Sequence, residues 1–237
     1  SVAVFGNVFV AITLASMIAG CLALIRHQPM LDAEQVAYQL KAINPLKSSL
    51  WYAAIAGVWL FCSGIISGFF DNRCDYLNLR MRLRHHPILK IMLPEKARAK
   101  LADYMHHNYG SLMGNLCFGM LLGMTGFVGH ATGLPLDIRH VAFSSANVGY
   151  AVVSGGLSFG QFLQALCFVL MIGAVNLWVS FSITLWVALR SRETTIDSWW
   201  GIVRDLRQII KERPLSLFLP LQLPSESVAK KTETKKE

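Results

Sequence analysis

The stretch Gly133-Leu-Pro-Leu-Asp137-Ile-Arg139-His140-Val-Ala-Phe-Ser144-Ser145-Ala-Asn147-Val-Gly-Tyr150 decides how this chain is read. It sits between two long apolar runs, yet it carries an acid, a guanidinium, an imidazole and several hydroxyls. Pro135 lacks an amide hydrogen and turns Leu134 away from helical angles, so an incoming helix ends or kinks there. The apolar part that follows, Val141 to Val153, is too short to span a bilayer comfortably. Its small residues Ser144, Ser145, Ala146 and Gly149 suit a re-entrant helix enclosed by protein. Polar groups at membrane depth must find partners inside the protein, which makes this cluster either a packing node or a functional site.

The composition around it fits lipid as a solvent. Of 237 residues, 54% are hydrophobic and only 15% charged, and the mean hydropathy is +0.44, which points away from a water-soluble globule. The net charge of +8 is then the excess of Lys and Arg that holds loops in the cytoplasm. Cys21, Cys62, Cys74, Cys117 and Cys167 are scattered, with neither disulfide nor zinc spacing. The pairs His85-His86 and His106-His107 do not suit one ion, because neighbours on a helix diverge by about 100°. No metal and no cofactor is expected. The start at Ser1 lacks a basic n-region and a cleavage site, so the chain is read as a piece whose N-terminal part has been removed.

The apolar runs predict an all-α, polytopic membrane bundle of about four spans, one re-entrant segment and amphipathic surface helices. The first span covers Val4 to Ile25. An amphipathic surface helix is expected from Asp32 to Ile43, with Val36, Leu40 and Ile43 on one face. The second span, Leu50 to Phe70, has Trp51 and Tyr52 at one end and Phe69-Phe70 at the other, as in an interfacial belt. A basic loop follows over 71–109, with an amphipathic part broken by Pro87 and Pro94 and a separate helix from Glu95 to Tyr109. The third span runs from Ser111 to Gly133. The last run, Leu157 to Leu189, is longer than a span needs, so it tilts, protrudes or breaks near Gly173 to Asn176. The bundle therefore occupies 1–190, followed by an amphipathic basic segment over 191–224 and a disordered lysine-rich tail over 225–237.

Helix contacts are expected at two GxxxG faces, Gly64 with Gly68 and Gly119 with Gly123, beside Gly114. Asn115 and Asn176 are expected to add interhelical hydrogen bonds worth roughly 0.6 to 2 kcal/mol each. The positive-inside rule places the 71–109 loop and the C-terminus in the cytoplasm, leaving the Asp137 to Asn147 cluster on the outer side.

Several pieces of this chain together resemble a known family. They are Ser63-Gly-Ile-Ile-Ser-Gly-Phe-Phe-Asp71-Asn72, Leu101-Ala-Asp-Tyr104, Gly114-Asn115, Gly119-Met-Leu-Leu-Gly123 and the Leu134 to Asn147 run, with Asn176-Leu-Trp-Val-Ser-Phe181 and Leu185-Trp-Val-Ala-Leu-Arg190. The chain resembles the C-terminal membrane part of the bacterial site-specific recombinases, the Gcr-like proteins of Gram-negative bacteria. The resemblance implies a longer protein with a cytoplasmic region ahead of the membrane part, and by its name DNA strand exchange, but it supplies no catalytic residues.

Arg139, His140, Ser144, Ser145 and Tyr150 are the residue types a strand-exchange site uses, but the expected topology turns them away from cytoplasmic DNA. The sequence therefore favours a non-enzymatic inner-membrane anchoring or scaffold module with an outer-face polar pocket. Asp137, Arg139, His140, Ser144, Ser145 and Asn147 are its candidate binding residues, with Arg139 as an anion clamp and His140 as a titrating group. The competing reading makes Asp137 and Arg139 a self-neutralising pair that pins the loop. A transporter or lipid-handling protein using the same pocket, and the recombinase itself, are the alternatives. The expected partners are membrane lipid, a protein partner or a second copy; nucleic acid is not among them, since Leu, Ile and Met interleave the basic loop as in a leaflet-hugging helix.

Overall fold

The computed structural model describes residues 2–134 and 136–192, together with 200, 201, 204, 207, 208 and 211. Pro135, the tail over 225–237 and, apart from those isolated positions, the basic segment beyond residue 192 lie outside the described residues. Among the described residues the elements are all helical: α1 (Val2–Arg26), α2 (Ala33–Ala42), α3 (Ser49–Tyr76), α4 (Leu79–His85), α5 (Pro87–Met92), α6 (Glu95–Thr132), α7 (Val141–Gly155) and α8 (Phe159–Ser191). Of these, 4 are long and apolar enough to cross a membrane, namely α1, α3, α6 and α8.

Local chemistry sets most boundaries. Asp32 caps α2 by accepting from the Gln35 amide at 2.7 Å, while the Gln35 side chain accepts from the Asp32 amide at 3.0 Å. Ser158 and Gln161 form the same reciprocal box at the start of α8. Pro87 opens α5 and Pro94 precedes α6, both at positions where a missing amide hydrogen costs nothing. Gly133 ends α6 with φ of 69°, a left-handed conformation that glycine adopts without a Cβ penalty.

Two expected boundaries are absent. The helix expected to end at Tyr109 and the third span are one continuous helix, α6. A glycine inside a helix costs only about 1 kcal/mol, and at Gly110 the missing side chain makes room for the Asp71 carboxylate of α3, which accepts from the Gly110 amide at 3.0 Å. Likewise α8 runs unbroken through Gly173 to Asn176, because the Asn176 side chain bonds outward to other elements rather than to its own helix. At 33 residues it is about 50 Å long, which leaves tilting or protrusion as its accommodation.

This long helix is the spine. Its first half carries α7, and α1 lies against α7; Gly173 of α8 meets both Val4 and Val141. Val36 and Ile43, on the expected apolar face of α2, are buried, and Ile43 joins Val148, Ala165, Val169 and Ile172 in the core. The second half of α8 carries α3, whose Gly57 faces Asn176 and Val179, and α6 packs on the far side of α3.

The glycines at these crossings include Gly114, as expected, but none of the four in the two GxxxG patterns. A Cβ on Gly149 of α7 would lie 2.6 Å from the Ile12 carbonyl oxygen of α1, and one on Gly114 of α6 would lie 3.0 Å from Ser67 Cβ of α3. At Gly64, Gly68, Gly119 and Gly123 nothing lies within 4 Å, and Asn115 is exposed. The second and third spans do pack together. They do so through Gly110 and Gly114, where Ser63 Oγ donates to the Gly114 carbonyl at 3.0 Å, and among the described residues nothing packs against the glycines of the two GxxxG faces.

Candidate functional site

The loop from Gly133 to His140 is held by its own charged residues. Arg139 pairs with Asp137 across 2.5 Å. Its Nε donates to the Ala42 carbonyl at the end of α2, 3.1 Å away, and its Nη1 to the Ile138 carbonyl at 3.3 Å. Asp137 Oδ1 also accepts from the Ile138 amide at 2.7 Å. The guanidinium thus joins loop to surface helix, with its side chain 15% exposed against 45% for Asp137.

His140 follows as the N-cap of α7, its Nδ1 accepting from the Ala142 amide at 3.3 Å. An acceptor at Nδ1 leaves the proton of the neutral ring on Nε2. The ring lies edge-on to Phe118 and Phe143 with centroids 5.0 and 6.0 Å away. Burial among them pushes the imidazole down to about 4, since an apolar setting disfavours the charged form.

Asn176 closes the arrangement from α8. Its Oδ1 accepts from the Val141 amide at 3.0 Å, and its Nδ2 donates to the carbonyls of Ala53 at 2.7 Å and Arg139 at 3.1 Å. One side chain, 1% exposed, therefore fastens α8 to α3 and to the loop–α7 junction. An asparagine with three of its four hydrogen-bonding positions used is a satisfied buried group, and breaking it would orphan its partners.

The six candidate binding residues are not gathered around one cavity. Ser144 and Ser145 are buried, and Ser145 Oγ donates to the Val141 carbonyl at 2.7 Å within α7. Asn147 borders a separate hollow with Glu34, Gln35 and Gln39 of α2. Arg139 alone of the six lines a cavity of about 270 Å³ with Tyr38, Lys41, Lys47, Ser48 and Tyr52. Neither lysine has an ion-pair partner among the described residues. Two unneutralised ammonium groups beside two phenols and a self-paired guanidinium suit an anionic group with an apolar body. Lys41 and Lys47 were missed because they read as ordinary surface lysines flanking Pro45, and only the fold brings them beside Arg139.

Among the described residues no group of three or more His, Cys, Asp or Glu side chains could hold a metal ion. A family model described as site-specific recombinase matches residues 1–220. The chain belongs to the site-specific recombinase family. Comparison with curated proteins and with solved structures finds no match. For this member of the site-specific recombinase family, the residue types of a phosphoryl-transfer site are present, but His140 and Ser145 are committed to backbone partners inside the fold.

Proposed function

We propose that this chain is the membrane-embedded module of a Gcr-like site-specific recombinase family protein, anchoring and scaffolding it in a bacterial inner membrane. The observation that carries the reading is the inverted distribution of side chains. Phe9, Met120 and Trp178 are 72%, 62% and 71% exposed on three long helices, while Asn176 and Ser145 are 1% and 0% exposed. In water such a surface would aggregate; in lipid it is the solvent-facing side. With the basic 71–109 loop and the C-terminus inside, the Asp137 to Asn147 region lies on the outer side and α7, about 22 Å long, is re-entrant. Topology reporters fused at 137–140 and at the C-terminus should report opposite compartments; the same compartment for both, or a chain that stays dispersed without detergent, would overturn the proposal.

A second reading is favoured by the cavity beside Arg139, whose Lys41 and Lys47 suit a lipid headgroup or another anion to be bound or moved. Arg139→Ala and Arg139→Lys separate the two. If both variants vanish from the membrane, the residue serves packing. Normal levels with a lost phenotype favour a site. The strand exchange in the family's name is not assigned to this region, and a covalent adduct between the purified full-length protein and a DNA duplex would reverse that.

A further inference from the structure

At the opposite end of α3 and α6 from Arg139, a larger cavity of about 460 Å³ opens between α4, α5 and α6, lined by Arg84, His85, Lys90, Arg98 and Glu95. Its cations are pre-set by internal contacts that leave donors free. Arg84 Nη2 donates to both oxygens of Asp103, at 2.9 and 3.2 Å, and Arg80 Nε holds the same carboxylate. Arg98 Nη1 is fixed on the Leu93 carbonyl at 3.2 Å. The Arg84 side chain is 35% exposed, and its buried Nε has no hydrogen-bond partner among the described residues, so its charge is only partly satisfied from within the protein. Lys90 has no ion-pair partner among the described residues, and Glu95 is the single acid on the rim. On α5, beside these cations, Ile88, Ile91 and Met92 are 59%, 88% and 71% exposed. Cations converging on a hollow next to a bare apolar helix match a phosphate with acyl chains attached better than a free ion, which would leave the apolar residues uncovered.

We infer that this cavity is a binding site for the phosphate headgroup of an anionic phospholipid, with Ile88, Ile91 and Met92 entering the acyl region beside it. The phosphate accepts from the guanidinium of Arg84, from Lys90 and from Arg98, and Glu95 weakens the site. The inference rests on the membrane reading only for the source of the phosphate.

The test uses the full chain in phosphatidylcholine nanodiscs doped with a phosphatidylglycerol analogue bearing a photoreactive headgroup, with labelled peptides mapped. Labelling should concentrate on 81–99, fall about fivefold in Lys90→Gln and about 25-fold when Arg98→Gln is added, and rise about fivefold in Glu95→Gln, at about a factor of five per charge. Arg82→Gln removes a cation of α4 that does not line the cavity and should leave labelling nearly unchanged. An equal fall in Arg82→Gln and Lys90→Gln would show diffuse attraction and overturn the site. Full competition by inorganic phosphate would overturn the lipid as ligand. A chain that enters nanodiscs but is labelled only around 38–52 fails this inference and spares the membrane proposal; a chain that never enters them fails the proposal itself.

Discussion

At the residue scale two buried side chains should dominate the energetics. Asn176→Ala removes three hydrogen bonds that join α8 to α3 and to the α7 junction. At membrane values for such bonds it should cost about 2 to 4 kcal/mol, read as a lower unfolding midpoint in detergent. Asn176→Asp should be no milder, since it exchanges two donors for a buried charge. His140 gives a pH signature. Its imidazole titrates near 6.5 when unfolded and near 4 in the fold, so between those values the unfolded chain binds the proton that the folded chain refuses. Stability is therefore fully present above pH 6.5 and declines as pH falls, by roughly 3 kcal/mol on reaching pH 4. His140→Asn keeps a capping acceptor and does not titrate, so its thermal midpoint should vary less over that range; an unchanged slope would remove His140 as the cause. That His140 would titrate was legible from its residue type. The direction of its shift was not, because Phe118 reaches the ring from a helix that the sequence places twenty-two residues away.

At the scale of elements, the termini of α2, α5, α6 and α8 follow from Asp32, Pro87, Pro94, Gly133 and Ser158, each acting on its own few residues. The contacts between helices do not follow so directly. A GxxxG pattern identifies a face on which another backbone can approach, but says nothing of where the neighbour lies. Gly119→Ala should be neutral or slightly stabilising, because its Cβ meets open space and alanine is the better helix former. Gly149→Ala should destabilise by about 1 to 3 kcal/mol, because its Cβ would press on the Ile12 carbonyl of α1. Equal unfolding midpoints for the two variants would mean that α1 does not cross α7 at this point. The Arg139 pocket has the same character: Arg139 was visible as an odd cation among apolar residues, whereas Lys41 and Lys47 acquire meaning only when α2 and α3 fold over it.

For the molecule as a whole, the spine sets the geometry. Because α1 and α7 ride on the first half of α8 while α3 follows its second half with α6 beyond it, the apolar helices are staggered along a rod of about 50 Å, longer than the roughly 30 Å of a hydrocarbon layer. Cysteines placed at Gln161 and Arg190, about 44 Å apart along α8, should both react with charged thiol reagents supplied from their own sides, and positions midway should be protected. Protection of either end would mean that α8 is inclined enough to lie wholly within lipid. The lipid-compatible class, the apolar helices and the breaks at proline and glycine were fixed by composition and short-range pattern, since they depend on the solvent a segment suits and on bonds within a few residues. Tertiary structure alone decided which of the candidate glycines touch, which elements the interhelical Asn176 joins, and that two separate groups of cations converge on cavities at opposite ends. Those outcomes depend on distances between residues far apart in the chain, and no local preference encodes such distances.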